Sequence, residues 1–175
     1  NESYKIQFLT FRIRSIDEDK KKNQVLFLIE RQAEKDDDLL FDDSQFEEDE
    51  LSEIRTIRYN FPPAFLDMKT VGTYLEFKVG DKLPVKDFMI IERHYFRDRL
   101  LESYEFTFPF CMPGSTNSWE KIYTLPDLPA DLKKEMLSNP WETTSDTFYF
   151  VGDTLIMHNK AKYSYAANNQ AHDLN

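Results

Sequence analysis

The run Tyr104-Glu105-Phe106-Thr107-Phe108-Pro109-Phe110-Cys111-Met112 decides the fold class. Large apolar residues recur at every second position, at Tyr104, Phe106, Phe108, Phe110 and Met112. That spacing puts five large side chains on one face of a strand, whereas a helix would scatter them. Pro109 sits inside the run and cannot donate to a ladder, which predicts an edge strand or a bulge there.

The same period extends outward in both directions. Residues 5–14 (KIQFLTFRIR) alternate, with a slip at Phe8-Leu9 that predicts a bulge. Residues 24–30 (QVLFLIE) and 54–61 (IRTIRYNF) read as strands, the second stopped by Pro62-Pro63. In 73–79 (TYLEFKV), Leu75, Phe77 and Val79 share a face; Gly80-Asp81 then turns the chain into a strand over Phe88–Phe96. A hairpin closes the series: 146–151 (DTFYFV), Gly152-Asp153, then 154–165 (TLIMHNKAKYSY). One helix stands out at 129–138, with Pro129 at its first position, Leu132 and Met136 four apart, and Asn139-Pro140 ending it. About eight strands and one short helix inserted late predict an all-β antiparallel sandwich. The 175 residues suit one domain over 1–165, followed by a polar tail at 166–175.

The formal charge of -10 is uneven. Residues 34–53 hold eleven acids and one lysine, and the rest of the chain holds twenty-one of each sign. The segment reads as a solvated loop insertion in a neutral domain, ahead of a docking site for a basic partner. No D-x-D-x-D-G run is present for calcium. Without clustered Lys and Arg, nucleic acid is not an expected partner. No stretch approaches 18 apolar residues, so stable membrane insertion is not expected. A start at Asn1 rather than Met leads us to expect a preceding N-terminal piece.

The stock for catalysis is small. Cys111 alone excludes a disulfide framework and suits a reducing compartment; in a Phe-rich strand it reads as an inert buried thiol. Glu92 and His94, two apart, share a strand face, which suits a metal pair, but a third ligand is not apparent. A hydrogen-bonded pair at a strand end is the preferred reading. His158 lies in the final strand and His172 in the tail. Four glycines leave no phosphate loop. We therefore expect no enzyme, cofactor or metal site. Fifteen Phe and nine Tyr exceed what two Trp would lead one to expect. They fill a Phe-rich core, or some of them line a cavity between the sheets that holds an apolar ligand.

Several stretches are more specific. Arg58-Tyr59-Asn60-Phe61-Pro62-Pro63-Ala64-Phe65-Leu66 fits an R-Y-x-F-x-P-A-F-L motif. Glu92-Arg93-His94-Tyr95-Phe96-Arg97, Phe106–Pro113, Glu142–Val151 and Met157-His158-Asn159-Lys160-Ala161-Lys162-Tyr163-Ser164-Tyr165 follow. Together these resemble the uncoordinated-one-nineteen family of lipid-binding trafficking chaperones, in the superfamily of the phosphodiesterase delta subunit. The resemblance covers about 4–165.

It implies an immunoglobulin-like sandwich with a deep apolar pocket between its sheets. It further implies a non-enzymatic carrier that takes the N-terminal myristoyl group of cargo proteins, such as Gα subunits and ciliary proteins. A GTP-bound Arf-like small GTPase would release them, in cytoplasm, cilium or axon. By motif match, Tyr59, Phe65, Glu92, Tyr104 and Tyr149 fall at pocket or pocket-mouth positions, with His94 and Phe106 as neighbours on the same strand faces. Thr56 and Leu125 stand where the resemblance would place Phe, and Tyr104 replaces a Phe; these are the positions on which the pocket's width and chain-length preference turn. The alternatives are a prenyl-group carrier of the same fold, and an immunoglobulin-like adaptor that binds no lipid.

Overall fold

The structure, a computed structural model, describes residues 4–16, 24–30 and 56–166. The acidic stretch 34–53, His172 and all but the first residue of the tail lie outside the described residues. Nine strands are present among them: β1 (Ile6–Ser15), β2 (Val25–Glu30), β3 (Ile57–Asn60), β4 (Thr70–Val79), β5 (Val85–Phe96), β6 (Arg99–Cys111), β7 (Thr116–Thr124), β8 (Thr143–Val151) and β9 (Thr154–Ser164). A 3-10 turn spans Pro63–Asp67 and one α-helix, α1, spans Ala130–Ser138.

Two sheets pack face to face. The four-stranded sheet runs β2-β1-β4-β7 and the five-stranded sheet β3-β9-β8-β5-β6. The expected sandwich is present, with one departure. β3 pairs with β9 in parallel, joining Tyr59 to Tyr163 across the chain. Such a pairing leaves no local trace in sequence, because its partners are far apart along the chain.

Local chemistry explains the elements. The slip at Phe8-Leu9 is a register shift between β1 and β4, where Phe8 faces Phe77 and Thr10 faces Glu76. Leu75, Phe77 and Val79 are all buried. Gly152 takes φ 55° at the start of the β8–β9 turn, a region that favours glycine. α1 follows Pro129, which caps it rather than opening it, and it buries Leu132 and Met136. Lys133 Nζ donates to Asp67 Oδ1 at 2.8 Å, tying α1 to the 3-10 turn.

Two strand expectations change. The five-residue face of β6 holds only through Phe108. Phe110 and Met112 are exposed, while Cys111 is buried. Asp87, with φ 51°, lies opposite Pro109, and the inward face changes phase there on both strands, from Phe88 to Val85 and from Phe108 to Cys111. β6 is an edge strand, as Pro109 predicts. β7, a strand outside the sequence expectations, completes the smaller sheet beside β4.

The interior divides in two. At one end Leu75, Phe77, Val79, Val85, Phe88, Ile90, Cys111 and Val151 form a closed core. At the other, buried residues including Tyr59, Phe61, Leu66, Leu132 and Tyr163 surround open space.

Candidate functional site: a cavity between the sheets

The open space is a cavity of about 510 Å³, lined by both sheets, the 3-10 turn and the segment leading to α1. That volume lies in the range of roughly 300–1,000 Å³ typical of small-molecule sites. Its apolar wall is aromatic. Tyr59 stacks 5.7 Å from Phe61, Phe61 stacks 4.3 Å from Phe65, and Tyr59 lies 5.3 Å from Tyr163. Phe11 and Ile13 of β1 and Val71 and Leu75 of β4 face them from the smaller sheet. Tyr149, 5.3 Å from Phe8 and 6.3 Å from Phe88, marks the boundary with the closed core.

One wall is polar. Glu92 and His94 point inward from β5, as their spacing predicts, and His94 Nε2 lies 3.0 Å from Glu92 Oε1. From across the sandwich, Tyr123 donates its hydroxyl to Glu92 Oε2 at 2.7 Å. Lys121 Nζ stands 3.8 Å from the same oxygen and lies over the rings of Phe106 and Tyr123.

Burial alone would raise the Glu92 carboxyl. The His94 hydrogen bond, the Lys121 charge and the Tyr123 hydroxyl outweigh it and hold the carboxyl down at about 2. Burial lowers the Lys121 ammonium, against the pull of Glu92. Burial, with the Glu92 charge adding to it, raises Tyr59, Tyr149 and Tyr163, so these phenols stay protonated. The cavity thus offers Glu92 as an ionised acceptor, Lys121 as a buried cation and several neutral hydroxyls inside aromatic walls, with Glu102 and Lys160 also in its lining.

Six of the seven residues singled out by sequence line this cavity: Tyr59, Phe65, Glu92, His94, Tyr104 and Tyr149. Tyr104 contributes its ring, 4.8 Å from Tyr123, while its hydroxyl donates to the Thr124 carbonyl at 2.9 Å. Phe106 does not line the cavity. It lies behind the wall, 4.9 Å from Tyr123 and 6.2 Å from Trp119. Glu92 and His94 make the hydrogen-bonded pair preferred over a metal pair. Cys111 is buried in the closed core, and burial raises its thiol. His158 is part of the cavity lining, with its ring stacked 4.4 Å on Phe148 and bonded to Asp146 at 2.8 Å. Leu125 is part of the lining.

Sequence reasoning missed Lys121, Tyr123 and Tyr163. Tyr163 is part of the Met157–Tyr165 run, and the β9 alternation turns it inward. Lys121 and Tyr123 share a face of β7, but that strand went unread.

Comparisons with known proteins agree with this architecture. Residues 1–165 match the family model described as GMP-PDE, delta subunit. Protein unc-119 homolog B of Danio rerio is 49% identical over 162 residues, covering 93% of this chain and 64% of that protein. Protein unc-119 of Caenorhabditis elegans is 46% identical over 164 residues, covering 94% and 69% respectively. Protein unc-119 homolog B of Homo sapiens is 47% identical, and the shares are 93% and 62%. The chain therefore spans less than two thirds of the fish and human relatives. With matches of this extent, the chain belongs to the unc-119 family, within the GMP-PDE delta-subunit family.

Proposed function

We propose that this chain is a lipid-binding carrier whose cavity takes the N-terminal myristoyl group of a cargo protein. The observation that carries this reading is an aromatic-walled cavity with one ionised acceptor, Glu92, in its wall. A myristoyl chain has about a dozen methylenes, each worth roughly 0.8 kcal/mol on leaving water. The gross gain is on the order of 10 kcal/mol, and ordering takes back several. Tight but reversible uptake follows. A single myristoyl chain holds a membrane only marginally, so such a cavity competes with a bilayer.

Glu92 and Tyr59 hydrogen-bond the amide groups around the cargo's first glycine. A ligand without those amides leaves buried polar groups unpaired, which disfavours a C-terminal prenyl-cysteine. Cargo would be N-myristoylated proteins such as Gα subunits and ciliary proteins, carried through cytoplasm, cilium or axon. A GTP-bound Arf-like small GTPase would release it by preferring a form with poorer lipid affinity. No bond is made or broken in the cycle, and no cofactor is needed.

The test is titration with fluorescent N-myristoylated and farnesylated peptides. Preference for the farnesylated peptide would favour a prenyl carrier, and binding of neither would favour an adaptor. Phe65→Asp puts a charge against Phe61 and should abolish uptake. Retained affinity in a folded Phe65→Asp protein would place the ligand elsewhere.

A further inference from the structure

Lys121 has no counterpart in the reading so far. Its side chain is 4% exposed and it lines the cavity. An ammonium carries three N–H donors. The carboxylate oxygen nearest to it, Glu92 Oε2, is 3.8 Å away, beyond hydrogen-bond length. The Phe106 and Tyr123 rings, 5.3 and 5.4 Å from Nζ, supply cation–π attraction but accept no such hydrogen bond. Thr73 sits directly opposite Lys121 in the β4–β7 register, so the two share the inward face. Its Oγ1 is also buried without a hydrogen-bond partner. One patch of the cavity wall therefore holds an ammonium only loosely engaged by Glu92 and a hydroxyl without a partner.

We propose that Lys121, assisted by Thr73, is a head-group-binding residue that donates to an acyl oxygen of the bound lipid, and that Glu92 restricts that oxygen to a neutral carbonyl. This rests on the reading of the cavity as an acyl site. The logic is charge balance. Paired with Glu92, Lys121 presents donors but no net charge, so a neutral acyl amide fits: its carbonyl accepts from Lys121, and a neighbouring amide N–H donates to Glu92. A free fatty acid brings a carboxylate against Glu92 and is disfavoured. With Glu92 neutral, the ammonium stands uncompensated and the carboxylate becomes the better ligand. The pair thus decides between acyl-peptide and fatty acid.

The experiment measures dissociation constants for an N-myristoylated peptide and for sodium myristate on four full-length proteins. These are the parent, Glu92→Gln, Lys121→Met, and the double variant, which keeps both shapes and removes both charges. Glu92→Gln should shift preference toward myristate by at least tenfold, Lys121→Met should shift it away, and the double variant should lose the myristate gain. A gain for myristate that persists in the double variant overturns the role of Lys121. So does an unchanged preference in both single variants. If one single variant fails to fold, judged by circular dichroism, the other still carries the test, since each moves the preference in its own direction relative to the double variant. A parent protein that binds neither ligand defeats the acyl-site reading itself. A parent that binds the peptide, with variants that leave the preference unchanged, defeats only this inference.

Discussion

The two ends of the sandwich interior share strands and differ in outcome. Along β4, Val79 and Phe77 belong to the closed core, Leu75 lies at the boundary, and Thr73 and Val71 face the cavity. Along β5, Phe88 and Ile90 are sealed, and Glu92 and His94 open onto space. At the closed end the rings meet across the sheets: Phe77 lies 5.3 Å from Phe88, and Trp119 lies 5.5 Å from Phe108. At the open end rings also meet across the sheets, Phe27 with Tyr59 and Tyr123 with Tyr104, each at 4.8 Å, while Tyr59, Phe61 and Phe65 stack along one wall and Ile13 and Val71 complete the lining. The closed end contributes stability, and the open end gives up packing to leave room for a ligand.

The sharpest way to break this contrast is Phe88→Ala. Phe88 is fully buried against Phe77, Trp119 and Tyr149. Its truncation should cost about 3–5 kcal/mol in urea unfolding. Acyl-peptide affinity of the folded variant should stay within about threefold of the parent, because of these three neighbours only Tyr149 reaches the cavity. A loss of affinity comparable to the loss of stability would show that the two ends are one unit.

The second prediction concerns pH. The Glu92 carboxyl lies at about 2 in the fold against 4.5 as its ordinary value. A depressed carboxyl stabilises the fold above its ordinary value, and that contribution disappears as pH falls through the folded value. The stability gap between the parent and Glu92→Gln should therefore narrow by on the order of 3 kcal/mol between pH 6 and pH 2. Phe88→Ala should show no such narrowing. A gap that stays constant for Glu92→Gln would mean that its partners do not hold the charge.

The smallest expected effect is from replacing residues 34–53 with a short neutral linker. The family motifs lie on either side of this segment, so acyl-peptide binding should change by less than about threefold, a difference under 1 kcal/mol. A large loss would show that the acidic segment helps to form the site.

The sandwich was legible because most strands keep an uninterrupted period of two, and the helix because Pro129 and Asn139-Pro140 bracket it. β7 was not, for a physical reason. Hydropathy residue by residue assigns Ile122 to the interior and Lys121 to water, and the structure does the reverse, with Lys121 between the inward Trp119 and Tyr123: Lys121 is 4% exposed and Ile122 is 49% exposed. Burying a cation is acceptable here because Glu92 lies across the sandwich, and the sequence does not display a partner on another strand. The same inversion hid the polar wall of the cavity. Glu92 and His94 were legible as a pair because both lie on one strand. The outward turn of Phe110 and Met112 was hidden for a related reason, since it arises from the backbone of Asp87 on the neighbouring strand.

The parallel β3–β9 pairing bears on the order of events during synthesis. Tyr59 meets Tyr163 only after the intervening hundred or so residues have been made. At roughly 5–20 residues per second that interval is about 5–20 s. Throughout it Tyr59, Phe61 and Phe65 lack the strand that covers them. A nascent chain without β9 has an aromatic patch where the finished protein has a wall, so the cavity comes into existence only with the last strand.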